Sequence, residues 1–152
     1  MMTSNYTNKS ELYLDAADAL MKSQDGHYAV VPHTTYYSCL LYMEHICYVV
    51  KGKTENDIRP IKKDGSKTSL HVGLSKYIKK VLGQSTKRNA HRDLTAFTEK
   101  FSVLQKLRVK ADYKNESISW NDSQKAFQLA NDILGILKTK VSQVKIHKRD
   151  LT

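Results

Sequence analysis

A chain of 152 residues with 40% hydrophobic and 26% charged residues can bury one domain core, and that balance excludes a disordered or membrane-spanning protein. The net charge of +10 is unevenly placed: residues 1–50 hold two lysines against five acids, residues 51–110 sixteen basic residues against five, and residues 111–152 seven against five. A basic middle suits a polyanion such as RNA or an acidic protein, and equally a well-solvated basic surface.

The first predicted helix spans about Asn8 to Ser23. Leu12, Ala16, Ala19 and Leu20 share one face, widened by Tyr13 and Ala17, and "QDGH" at 24–27 closes it with turn residues. The second spans about Pro32 to Val50, because proline fits a first helical turn and Gly52 suits the position after a helix end. Its rows Tyr36–Leu40–Met43–Cys47–Val50 and Tyr37–Leu41–Tyr48 cover much of the circumference, which predicts a central helix. This apolar run is interrupted by Glu44 and His45 and is too short to cross a bilayer. Cys39 and Cys47, separated by roughly 12 Å of helical rise, read as reduced core thiols.

Residues 53–68 read as one long irregular stretch broken by Pro60 and Gly65, with Lys62 and Lys63 among its possible phosphate contacts. A third helix, about Ser69 to Leu82, turns Leu70, Leu74, Tyr77, Ile78 and Val81 inward. A fourth runs from about Ala90 to Ala111, and a fifth opens on "SWND", where Ser119 and Asp122 have capping-box spacing. Phe127, Ala130, Leu134, Leu137, Val141 and Val144 then recur at helical steps, and Gly135 among them suggests a close helix–helix approach. No segment alternates with period two. The expected fold is an all-α, antiparallel bundle of four main helices and a shorter one, a single domain with its core at about 8–146.

The visible motifs lack a phosphate loop, a dinucleotide fingerprint, a zinc-protease H-E-x-x-H and a nucleophile elbow. The histidines at 27, 33, 45, 71, 91 and 147 are scattered, so neither a metal nor a cofactor is expected. No charged start followed by an apolar segment opens the sequence, so a cytoplasmic location is expected.

The chemistry concentrates at "LRVKADY", residues 107–113. Leu94, Phe97, Phe101 and Leu104 form the inner stripe of the fourth helix, and the next position on that stripe is Arg108. Burying an unpaired guanidinium costs several kcal/mol, about 3 or more. Asp112, one turn on, can pair with it and close the helix end, with Tyr113 packed over both. Alternatively Arg108 faces a groove and binds phosphate, beside Tyr113 or a histidine from elsewhere such as His71.

The order of "ELYLDAADALMKS", "TYYSCLLYMEHI", "LHVGLSKYI" and "LRVKADY" before a capped last helix resembles HEPN domains of prokaryotic toxin–antitoxin and defence systems. That resemblance implies a helical bundle that dimerises, with a nucleotidyltransferase antitoxin as a partner. It also implies metal-independent ribonuclease chemistry where an arginine is followed after four to six residues by a histidine. Arg108 matches the arginine, but Tyr113, Lys114 and Asn115 occupy the histidine positions. Tyrosine titrates around 10 and is a poor general base. Three functions therefore stand as expectations: a non-catalytic or weakly active HEPN-like homodimer binding RNA or a partner protein, a ribonuclease toxin using Arg108 with Tyr113 or His71, and a structural helical adaptor in which Arg108, Asp112 and Tyr113 stabilise the fold.

Overall fold

The structure, a computed structural model, describes residues 3–23 and 25–141. Gln24 of the predicted turn, Val144 of the last helical stripe and the expected end of the core at 146 lie outside the described residues. Among the described residues there is no strand, only an isolated bridge between Ile61 and Lys67. The helices are α1 (Asn5–Lys22), α2 (Val31–Glu44), α3 (Glu55–Ile58), α4 (Leu70–Gln84), α5 (Ala90–Tyr113) and α6 (Trp120–Ile136). All five predicted helical segments are present, and α3 is additional. None is long and apolar enough to cross a membrane.

Local chemistry explains the helix ends. α1 begins three residues earlier than the apolar pattern suggests, because Ser4 and Thr7 form a reciprocal capping box. Ser69 caps α4, and Ser119 and Asp122 form the capping box predicted for α6. A 3₁₀ turn at His27–Val30 feeds α2, and a π-helical turn at His45–Val50 extends it. Gly52 then takes a positive φ of 64° and lets the chain leave.

α2 is central, packing against α1, α4, α5 and α6. Tyr36, Leu40, Met43 and Cys47 are buried there with Leu74 and Ile78 of α4, Phe97, Phe101 and Leu104 of α5, and Ala130 and Leu134 of α6. Tyr36 stacks on Phe101 with ring centroids 5.4 Å apart. Both cysteines are buried and free.

Three expectations need correction. The inner face of α1 is Thr7, Ser10, Leu14 and Ala17, whereas Leu12, Tyr13, Ala16 and Ala19 are exposed. The reason is close helix pairing through small polar residues. Ser10 Oγ donates to the Ser38 carbonyl and Ser38 Oγ donates to the Ser10 carbonyl, each at 2.8 Å. Hydrophobic spacing cannot reveal a face whose contact is hydroxyl to backbone.

The stretch 53–68 is also more ordered than its composition suggests. Thr54 and Asp57 cap α3, Arg59 Nε donates to the Thr68 carbonyl at 2.9 Å, and Thr68 Oγ1 donates to the Pro60 carbonyl at 2.9 Å. The tight helix approach belongs to Gly73 rather than Gly135. A Cβ on Gly73 would lie 2.1 Å from the Ile58 carbonyl oxygen, whereas one on Gly135 would meet nothing within 4 Å.

His45 is a buried histidine, 1% exposed. Its Nδ1 lies 2.8 Å from Ser4 Oγ, and burial holds its pKa below the ordinary histidine value. The unfolded chain therefore takes up this proton first, at about pH 6.5. Stability from neutral His45 is present above that pH and is lost as the pH falls. Urea midpoints measured at pH 7.5 and 5.5 should fall on acidification, and His45→Gln should reduce that fall.

Candidate functional site

The inner stripe of α5 does end in Arg108, which is only 9% exposed. Apolar neighbours carry it inward from Phe97 to Leu104, and its charge is then met by groups from α2 and from the last turn of α5. Nη2 donates to the Tyr37 hydroxyl at 2.9 Å and to the Tyr113 hydroxyl at 3.1 Å. The guanidinium carbon lies 5.3, 5.4 and 5.1 Å from the ring centroids of Tyr36, Tyr37 and Tyr113. Three electron-rich faces thus partly replace the lost hydration.

Asp112 lies where the i, i+4 spacing predicts, with Oδ2 2.9 Å from Arg108 Nε. The contact is an ion pair by distance, yet the Nε–H is not aimed at the carboxylate and makes no hydrogen bond. The carboxylate is instead committed to His33, whose Nδ1 lies 2.9 and 2.8 Å from Oδ1 and Oδ2. Burial alone would lower the Arg108 pKa, but Tyr37, Tyr113 and Asp112 together raise it, so the guanidinium stays charged. Nη1 has no hydrogen-bond partner among the described residues and is not sealed among the buried unpaired atoms. It is the one nitrogen of the fork left for an external anion.

Two histidines flank this cation. His33, at the first turn of α2, packs on Tyr37 with ring centroids 4.8 Å apart. His71, at the start of α4, meets the other side of Tyr37 at 6.1 Å and hydrogen-bonds the Tyr36 hydroxyl through Nδ1 at 2.8 Å. Burial, and then Arg108, lower the His71 pKa. Burial raises that of Tyr36 to about 12 against the opposing pull of Arg108. Tyr36 therefore keeps its proton, and the His71 tautomer sets which of the Tyr36 hydroxyl and His71 Nδ1 donates in this contact.

Of the residues singled out from sequence, Arg108, Asp112, Tyr113 and His71 come together here. Lys62 and Lys63 do not. They are exposed on the turn between Ile61 and Lys67, and no hydrogen bond or ion pair joins them to this cluster among the described residues. His33, Tyr36 and Tyr37 were not legible as site residues, since the tyrosines read as core rows and His33 as one of six scattered histidines. The available signal was the i, i+4 spacing of His33 and Tyr37 on a helix that must pack against an inward arginine.

No group of three His, Cys, Asp or Glu that could hold a metal ion occurs among the described residues. No family model, curated protein or solved structure matches the chain.

Proposed function

We propose that this chain is a HEPN-like RNA-binding protein of a toxin–antitoxin or defence system, acting in the cytoplasm, for which binding rather than rapid turnover is the principal property. Its helices would form the antiparallel bundle of that family. The observation that carries the reading is the state of Arg108: a charged guanidinium held in place by tyrosines, with Nη1 unclaimed by any of the described residues. Tyr113, 69% exposed over that cation, offers a ring on which a base can stack. The basic segment 51–110 would add sequence-independent attraction for the backbone.

The test is retention of labelled single-stranded RNA. At low salt the protein should hold RNA, and affinity should fall steeply with added salt. Arg108→Lys keeps the charge but loses the planar fork, so it should bind more weakly than wild type. Complete absence of RNA retention by the wild-type protein at low salt would end this reading. The homodimer and a nucleotidyltransferase partner follow from the HEPN resemblance; sedimentation of the purified chain should give twice the mass of 17.4 kDa.

A further inference from the structure

A cleft of about 390 Å³ opens where the first turn of α1 meets the end of α2 and the start of α4, lined by Tyr6, Glu44, Tyr48 and Leu70. Lys53, Glu55 and Arg59 complete its wall, and no residue of the Arg108 cluster belongs to it. We propose that this cleft binds a small organic monocation, an ammonium bearing alkyl groups, with Glu44 as its counter-ion and Tyr6 and Tyr48 as its aromatic walls. The proposal goes beyond the RNA-binding reading and stands or falls separately from it.

Local structure brings these side chains together. Glu44 is the last residue of α2, and Tyr48 follows it by one turn in the π-helical extension. Tyr6 lies in the first turn of α1, just after Ser4, whose hydroxyl caps that helix and also sits 2.8 Å from His45 Nδ1. The start of α1 is thereby pinned beside the end of α2. The rings of Tyr6 and Tyr48 stand 6.1 Å apart at 45°, which forms a wedge rather than a closed stack. Tyr6, Glu44, Tyr48 and Leu70 are all partly buried, so a ligand among them sheds water on several sides.

The charges select the ligand. Glu55 is answered within the protein: Arg59 Nη1 donates to its Oε1 at 3.1 Å, and Lys67 Nζ lies 3.7 Å away. Glu44 is not answered. Its side chain makes no hydrogen bond or ion pair among the described residues, and burial pushes its carboxyl up, with Lys9 of α1 pulling the other way. The field at the aromatic wall is negative as well. The Tyr48 hydroxyl is pushed up to about 12, by burial first and then by Glu44, Cys47, Glu55 and Tyr6, all in one direction. A cation here is held by ring faces and by a carboxylate that has lost part of its hydration, while its alkyl groups rest against Leu70. No group of three metal-ligating side chains forms among the described residues, so the fitting cation is organic. Lys53 and Arg59 in the same wall repel a second positive charge, which makes it a monocation.

The experiment follows backbone amide shifts by NMR while the protein is titrated with choline, with its uncharged carbon isostere dimethylbutanol, and with sodium chloride at matched ionic strength. Choline should bind with a Kd of about 1 mM, modest as its few atoms require, and shift amides around Tyr6, Glu44, Tyr48 and Leu70. The isostere should bind about 10-fold more weakly, since it keeps the shape and loses the charge. Glu44→Gln should lose about 10-fold or more in choline affinity, while its melting temperature does not fall, because an unpaired, partly buried charge has been removed. Tyr6→Leu should lose about 3-fold or more, and Tyr6→Phe should keep wild-type affinity. Phosphatidylcholine vesicles separate two sources of the same cation. Sedimentation with them that Glu44→Gln abolishes assigns a lipid headgroup, and choline binding without it assigns a free molecule. No saturable shift by about 20 mM choline, equal binding of choline and its isostere, or unchanged affinity in Glu44→Gln overturns the proposal. None of these outcomes bears on RNA retention at Arg108.

Discussion

Replacing Arg108 with alanine should lower the stability of the protein by about 3 kcal/mol and abolish its retention of RNA. The stability loss follows from what stays behind. Asp112, with a side chain only 17% exposed, would keep His33 but lose the permanent positive charge beside it. The hydroxyls of Tyr37 and Tyr113 would lose the nitrogen they share, and three aromatic faces would surround a void. For a chain of this size the loss corresponds to a fall in melting temperature of about 6–12 °C. A double-mutant cycle with Asp112→Ala should show coupling of about 1 kcal/mol or more, because the two side chains are in contact. Binding would be measured at low temperature, where circular dichroism shows whether the variant is still folded. A folded Arg108→Ala protein that binds RNA as tightly as wild type would leave the guanidinium a purely stabilising role. An unchanged melting temperature would contradict the account of how it is buried.

Gly73→Ala should be the most damaging small substitution in the chain, at about 3 kcal/mol, the upper end of ordinary overpacking. An alanine gains about 1 kcal/mol of helix propensity over glycine. Against that gain stands a Cβ placed 2.1 Å from the backbone oxygen of Ile58 and 3.0 Å from its carbonyl carbon. Backbone cannot rotate aside as a side-chain tip can. Either α3 is displaced from α4 or buried Ile58 leaves its site, so damage should begin in the 53–68 segment. Amide exchange should show lost protection at Arg59 and Thr68, whose backbone N–H groups bond the Glu55 and Pro60 carbonyls. Gly135→Ala is the counterpart with the opposite sign. Its Cβ enters open space, so it should stabilise by up to about 1 kcal/mol. Two glycine-to-alanine changes in two helices should thus move the urea midpoint in opposite directions.

The contrast shows what a sequence can convey about a glycine. Both residues sit inside helical patterns, and helical propensity treats them alike. What separates them is the position of a chain segment some fifteen residues away, which no local spacing encodes. α1 makes the same point. Leu12, Ala16 and Ala19 form a plausible apolar stripe, yet Ala17 is the buried alanine and Ser10 and Ser38 join α1 to α2. Small side chains allow close approach and paired hydroxyl-to-carbonyl bonds, an arrangement with little hydrophobic signal. α4, α5 and α6 were legible because their inner faces are large and apolar at regular steps.

The sequence by itself determined the all-helical class, the location of five helical segments, the capping of α6 by Ser119 and Asp122, and an arginine interrupting a core-facing stripe. These are properties of short stretches, set by side-chain spacing and by hydrogen bonds between near neighbours. Only the tertiary structure decided what that arginine meets. Tyr36 and Tyr37 reach it from α2, His33 approaches through Asp112, and His71 is linked through Tyr36. These groups lie 35 to 79 residues apart in pairs, and packing of α2 and α4 against α5 is what brings their first turns to the end of one helix. Proximity of that kind depends on the angle and depth of helix contacts, which no local motif encodes.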